Sequence, residues 1–243
     1  DGHSLLIAST VPSCKAWDPA YAYELSTIIE NGINEMWGQE LDFFNYIMLY
    51  NENQQQPPKP DGVDEGIIKG TYKLIEANDD KNIKVRLLGS GPILNYVIEA
   101  HNLLKSNFNI DSEVWSVTSY GELRREGLEI QRHNVLFPQD TKKSYVEDCF
   151  GDNMPTIAVS DHISAIPEMI QRWVGGQFIV LGTDGYGRSD TREALREFFE
   201  IDTNNIILGA LSALEKEGKI SVGSVEEAVT VLGINRKKDD KTK

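Results

Sequence analysis

The sequence predicts an α/β fold, a mostly parallel sheet with helices on both faces, and three observations predict it. Short apolar runs alternate with helical periodicity between residues 66 and 235. Each alternation needs a crossover connection, and crossovers lay helices over both faces of a parallel sheet. The later helices carry punctuation: Asp190 with Glu193, and Ser224 with Glu227, are spaced as capping boxes, while Gly218 and Gly233 stand where C-terminal glycines belong. A composition of 40% apolar and 26% charged residues is ordinary for a chain that buries a core.

Residues 1–50 form a first unit. An extended stretch is expected over residues 5–17, followed by a helix with Asp18 as N-cap and Pro19 in its first turn. The helix carries an apolar stripe of Ala22, Leu25, Ile29, Ile33 and Met36, and Gly38 stops it. Residues 43–50, rich in aromatic and branched side chains, read as a strand. One helix and one or two strands cannot cover both faces of a sheet, so this unit is expected to be the end of a larger α/β domain or to borrow a partner surface. Residues 51–65 are a linker, since Pro57, Pro58 and Pro60 remove backbone donors and Gln54 to Gln56 offer nothing to a core.

The second unit, residues 66–235, is expected to place strands at 84–88, 114–118, 156–160 and 178–181. Helices follow near 92–107, 119–129, 162–173, 191–200, 204–217 and 225–232. Residues 236–243 read as a solvated tail.

The chain has 243 residues, with 24 Lys and Arg against 38 Asp and Glu, a formal net charge of −14. That balance argues against a nucleic-acid partner, because phosphate neutralisation needs a basic face and the only basic cluster is the tail, diluted by Asp239 and Asp240. Apolar runs fall far short of the roughly 20 residues that span a bilayer, and the start lacks a signal pattern. The expectation is no membrane contact and a cytoplasmic location. Cys14 and Cys149, far apart and without companion ligands, read as plain thiols rather than a disulfide or zinc set. The opening Asp1-Gly2-His3-Ser4, with no methionine, suggests a piece of something longer.

Several motifs are candidates for chemistry. Gly89-Ser90-Gly91 lies between a strand and a helix, where a dinucleotide-binding turn would sit, but Leu94 occupies the place of its third glycine. The run Leu181-Gly182-Thr183-Asp184-Gly185-Tyr186-Gly187-Arg188-Ser189-Asp190 is either a ligand loop at a strand's carboxyl end or a tight structural turn. His101 falls on an apolar helix stripe with Leu94, Val97, Ile98 and Leu104 and is expected in the core. His133 lies in an irregular polar stretch, and His162 ends a strand, where it either functions or starts a helix. His3, in a polar loop with a glycine, is presented rather than packed, and an imidazole titrating near neutrality suits proton transfer. There is no G-x-S-x-G elbow, Walker loop or H-E-x-x-H.

Asp1-Gly2-His3-Ser4, Asp18-Pro19-Ala20-Tyr21-Ala22-Tyr23-Glu24, Leu49-Tyr50-Asn51-Glu52-Asn53, Leu88-Gly89-Ser90-Gly91, Ser116-Val117-Thr118-Ser119 and the run from Leu181 to Asp190 follow one another in a single order. Together they resemble the thiamine-diphosphate-dependent pyruvate dehydrogenase component of the homodimeric bacterial type, within the transketolase-like superfamily. The resemblance covers essentially the whole chain and the last quarter or so of such an enzyme. It implies that residues 1–50 end a pyrimidine-binding domain and that residues 66–235 are a transketolase-like carboxyl-terminal domain.

The resemblance further implies a homodimeric enzyme of a multienzyme complex. It would decarboxylate pyruvate and reductively acetylate the lipoyl domain of dihydrolipoamide acetyltransferase. His3 matches the family's active-site histidine and is the only catalytic residue carried over. Thiamine diphosphate and magnesium would be held mainly by segments absent from this chain, so the chain alone is expected to be inactive. The competing reading is a non-catalytic α/β module for assembly, or for binding a small ligand at Gly182 to Gly187. A related transketolase or another 2-oxo-acid dehydrogenase is a third.

Overall fold

A computed structural model describes residues 2–77 and 83–236. After α1 (Ser4–Ala8), β1 (Cys14–Trp17) pairs in parallel with β2 (Phe44–Ile47), Cys14 lying opposite Phe44 and Trp17 opposite Ile47. Between them runs α2 (Ala22–Ile33), which ends in a wider turn over Asn34–Gly38. The main sheet follows. Its strands are β3 (Thr71–Ile75), β4 (Lys84–Gly89), β5 (Asp111–Val117), β6 (Thr156–Val159) and β7 (Phe178–Leu181), in the order β3-β5-β4-β6-β7. Only β3 is antiparallel to its neighbour.

The helices are α3 (Asp64–Lys69), α4 (Leu94–Phe108), α5 (Tyr120–Leu136), α6 (Tyr145–Phe150), α7 (Arg192–Phe198), α8 (Thr203–Lys216) and α9 (Ser224–Val231). The strands read as continuous apolar runs because successive side chains enter different cores. Leu87, Val114 and Ile157 pack with α4 and α8 on one face. Leu88, Trp115 and Ala158 pack with α5 and α6 on the other. The expected α/β fold, a mostly parallel sheet covered on both faces, is what the chain adopts.

The sheet carries a buried ionic group. Arg86 on β4, only 2% exposed, meets Glu113 on β5 and makes a two-pronged contact with Asp152 at 3.1 Å. A guanidinium fits a carboxylate in that geometry, which compensates its removal from water.

Several expectations need correction. Residues 5–17 are not extended throughout, since Ser4–Ala8 is helical. The next helix starts at Ala22, not after Asp18, because the Glu24 carboxylate accepts the Ala20 and Tyr21 amides and fixes the entry there. Its buried face is Glu24, Thr27 and Ile28. The expected stripe is turned out instead, with Ile29 44% and Ile33 58% exposed. The strand over 43–50 shortens to Phe44–Ile47.

In the second unit, β3, α3 and α6 were not foreseen. The expected junction at residue 65 falls inside α3, and 162–173 holds a 3₁₀ segment over Pro167–Trp173 rather than an α-helix. Thr191, not Asp190, caps α7. Gly223 precedes α9 without a side-chain cap, and Ser224 Oγ donates to the Ser221 carbonyl instead. Gly218 and Gly233 do follow α8 and α9 with positive φ. The tail beyond Arg236 lies outside the described residues. Among the described residues no helix is long and apolar enough to cross a membrane.

The first unit is fastened to the second by Glu24. This fully buried carboxylate accepts the Ala20 amide (2.5 Å) and the Tyr21 amide (3.1 Å), and across the junction the hydroxyls of Tyr72 and Ser116 (both 2.6 Å). Burial pushes its pKa up, and these four donors oppose that push. Glu24→Ala strands all four donors and is expected to cost about 3–5 kcal/mol in urea unfolding. A cost below about 1 kcal/mol would contradict this role.

Candidate functional site

β6 and β7 end side by side at Val159 and Leu181, and the chain leaving each builds the carboxyl edge of the sheet. This is where open α/β sheets place their sites. Two loops there, 160–166 and 182–190, are bound to each other. The Thr183 amide donates to the His162 carbonyl (3.0 Å), and Thr183 Oγ1 donates to the Asp161 carbonyl (3.0 Å). Asp184 accepts from the Ser164 amide (3.0 Å) and hydroxyl (2.5 Å).

Gly182 is required by close approach, since a Cβ there would stand 2.5 Å from the Ser164 nitrogen and 2.8 Å from the His162 carbonyl oxygen. Of the two readings of this glycine-rich run, Gly182 therefore serves the structural turn, while Gly185 and Gly187 face an open cleft.

The amino-terminal segment lies against these loops. Gly2 is buried, and its carbonyl accepts the Ile163 amide at 3.1 Å. His3, the candidate catalytic residue, follows with an exposed side chain, and its carbonyl accepts the Ile7 amide at 3.1 Å to begin α1.

Behind this contact is a buried cluster that sequence reasoning missed. Tyr50 donates to Asp18 Oδ1 at 2.5 Å and lies 3.2 Å from His162 Nε2, which is 3.7 Å from Asp18 Oδ2. Burial opposes a charge on His162, but Asp18, Asp161 and the Gly2 carbonyl outweigh it and hold the imidazole above its ordinary pKa. Burial likewise pushes Asp18 up, yet His162, Ser90 and Tyr50 hold its carboxyl below the usual range. The two groups are shifted in opposite directions, as a histidine and a carboxyl that favour each other's charged forms would be. Asp18 is also tied through its backbone, its amide donating to Thr118 and its carbonyl accepting from Gly91.

A cleft of about 320 Å³ opens beside His162, lined among others by Gly2, Tyr50, Glu52, Asp161, Arg192 and Arg196. Arg196 is 4% exposed and grips Glu52 at 2.9 and 2.6 Å while also donating to Tyr96. That grip holds Glu52 below its ordinary pKa, whereas burial raises Asp161.

The other candidates resolve differently. His101 is in the core, with Nδ1 2.8 Å from Ser112 Oγ. His133 lies in the last turn of α5 rather than an irregular stretch, beside the Asp140 carbonyl. Both cysteines are free thiols whose pKa values burial raises. The Gly89-Ser90-Gly91 turn wraps Asp18: a Cβ on Gly91 would sit 2.7 Å from Asp18 Oδ1, so no space remains for a phosphate. Among the described residues no three His, Cys, Asp or Glu side chains gather as metal ligands.

Comparison with known proteins agrees with this architecture. Residues 70–202 match the transketolase-like TK C-terminal domain, and residues 1–57 match the pyruvate dehydrogenase E1 component middle domain. The chain is 48% identical over 241 residues to the pyruvate dehydrogenase E1 component of Pseudomonas aeruginosa, with 98% of this chain and 27% of that protein aligned. It is 40% identical to the Escherichia coli K12 protein of the same name, again with 98% and 27% aligned. It therefore spans about a quarter of the length of the curated relatives it matches. Among solved structures, transketolase from Leishmania mexicana superposes with a TM-score of 0.63 at 15% identity, covering 88% of this chain and 27% of that one, a likeness of fold.

The buried His162–Asp18 pair has a pH signature. With the folded-state pKa of His162 raised above 6.5, its stabilisation is fully present below that value and is lost as pH rises through the folded pKa. Thermal unfolding of the wild-type chain against His162→Gln, from about pH 6 to about pH 9, is expected to show a wild-type advantage that shrinks as pH rises. A constant difference would contradict the charged pair.

Proposed function

Because the chain belongs to the transketolase-like family as the carboxyl-terminal portion of a bacterial pyruvate dehydrogenase E1 component, we propose that it works within a longer enzyme of that activity. That enzyme decarboxylates pyruvate and passes the acetyl unit to the lipoyl domain of dihydrolipoamide acetyltransferase, as a homodimer in the cytoplasm. The observation carrying this reading is the similarity to proteins of that name over 98% of the chain.

The residues present do not fit the family's thiamine diphosphate and magnesium. No ligand cluster forms among the described residues, the Gly91 turn is filled by Asp18, and Arg196 is committed to Glu52. Both groups would be held mainly by segments outside this chain. What these residues contribute is His3, whose exposed imidazole can meet a reacting group presented by the rest of the enzyme and exchange a proton with it. The outward residues of α2 and its terminal turn, with Trp37 86% exposed, give an apolar surface suited to burial in the larger assembly.

Two outcomes test this. The purified chain, given pyruvate, thiamine diphosphate and magnesium, is expected to release no carbon dioxide above background, and measurable decarboxylation would overturn the division of labour. In the full-length enzyme His3→Ala is expected to lower turnover roughly 10²–10⁴-fold, the range for a positioned acid–base group. An unchanged rate removes His3 from the reaction.

A further inference from the structure

We propose that the loops 161–164 and 182–184 are a positioning clamp for His3, acting through Gly2. The proposal rests on the reading of His3 as the active-site histidine. Gly2 contributes the carbonyl, and His3 the nitrogen, of a single planar peptide unit. The bond from the Ile163 amide to that carbonyl, at 3.1 Å, therefore orients the plane from which the His3 backbone departs. On its other flank His3 is held by the bond from Ile7 to its carbonyl, and α1 is anchored by buried Leu5 in the same apolar cluster as Ile166. The backbone is fixed on both sides while the imidazole stays exposed.

The contact at Gly2 tolerates no side chain. A Cβ there would lie 2.6 Å from Thr183 Oγ1, 2.8 Å from His162 Cα and 2.8 Å from the Ile163 nitrogen. Two of these three atoms are backbone, so relief requires the loops to move. The loops resist movement because Thr183 bonds the Asp161 and His162 carbonyls, Asp184 takes two bonds from Ser164, and His162 is locked beneath by Tyr50 and Asp18. Gly182-Thr183-Asp184 thus acquires a task that the rest of the mechanism leaves unassigned. These residues are positioning residues, since their effect on the reaction runs through where His3 stands. A displacement near 1 Å is enough to cost about 10²-fold in rate when geometry is rate-determining.

The test is a kinetic cycle in the full-length enzyme. Thr183→Val keeps the shape and removes the hydroxyl that holds Asp161, and it is expected to lower kcat about 10-fold. Gly2→Ala forces the loops apart and is expected to lower kcat about 10²-fold. KM for pyruvate stays unchanged in both, and Thr183→Ser, which keeps the donor, restores the rate. In a His3→Ala background neither substitution lowers the rate further. If His3→Ala cripples the enzyme while Gly2→Ala and Thr183→Val turn over at the wild-type rate, the clamp is overturned and the role of His3 stands. If His3→Ala itself retains full turnover, both the functional reading and the clamp fall. Should Gly2→Ala not fold, Thr183→Val with its Ser rescue decides: equal losses in the Val and Ser variants would also overturn the proposal.

Discussion

Two buried carboxylates near the start of the chain draw part of their partners from far away in sequence. Asp18 is 3% exposed and Glu24 is fully buried. A carboxylate removed from water is tolerated only when it is paired and hydrogen-bonded. Partners come from the other unit, Tyr72 and Ser116 for Glu24 and His162 for Asp18, while Tyr50 at the end of the first unit bridges the second pair. Neither unit can move off the other without stranding an ionisable group, so the small β1–β2 sheet and the five-stranded sheet are held as one body. The placement of Gly2 and His3 on the carboxyl edge of the larger sheet follows from that constraint.

Much of this was legible in the sequence, for identifiable reasons. Apolar runs bounded by turns mark β6, which is buried along its length, and also β4 and the half-buried edge strand β7. Helix ends marked by glycine were placed correctly at Gly218 and Gly233, where the chain takes positive φ. By contrast, β3 reads Thr-Tyr-Lys-Leu-Ile at a sheet edge, and α3 and α6 are six residues each, too short for a periodic signal. The α2 face was misjudged because periodicity locates an apolar stripe but not what covers it. Ile29, Ile33, Met36 and Trp37 are a real stripe that the described residues leave exposed.

The site was less legible than the fold. Asp18 looked like a helix cap because Asp before Pro is a common start signal; here Glu24 does the capping and Asp18 is released to meet His162. His162 was visible at a strand end, but the three-way contact with Tyr50 and Asp18 joins positions up to 144 residues apart in number order and leaves no local pattern. The glycine motifs left a structural turn and a ligand loop as alternatives, and the structure favours the turn at Gly91 and Gly182. At Gly2, Gly91 and Gly182 the missing Cβ admits protein atoms, not a phosphate. Glycine-rich loops at strand ends advertise close approach, and only the packed structure says what approaches.

The central claim is that the amino-terminal segment and the second unit open together. Native-state hydrogen exchange of the intact chain measures this directly at the amides that cross between them: Ile163 bonded to Gly2, Asp18 bonded to Thr118, and Gly91 bonded to Asp18. The expected result is that all three exchange with the same free energy and denaturant dependence as core amides of β4 and β5. Exchange of these three amides through a local opening, while the strand amides stay protected, would contradict it.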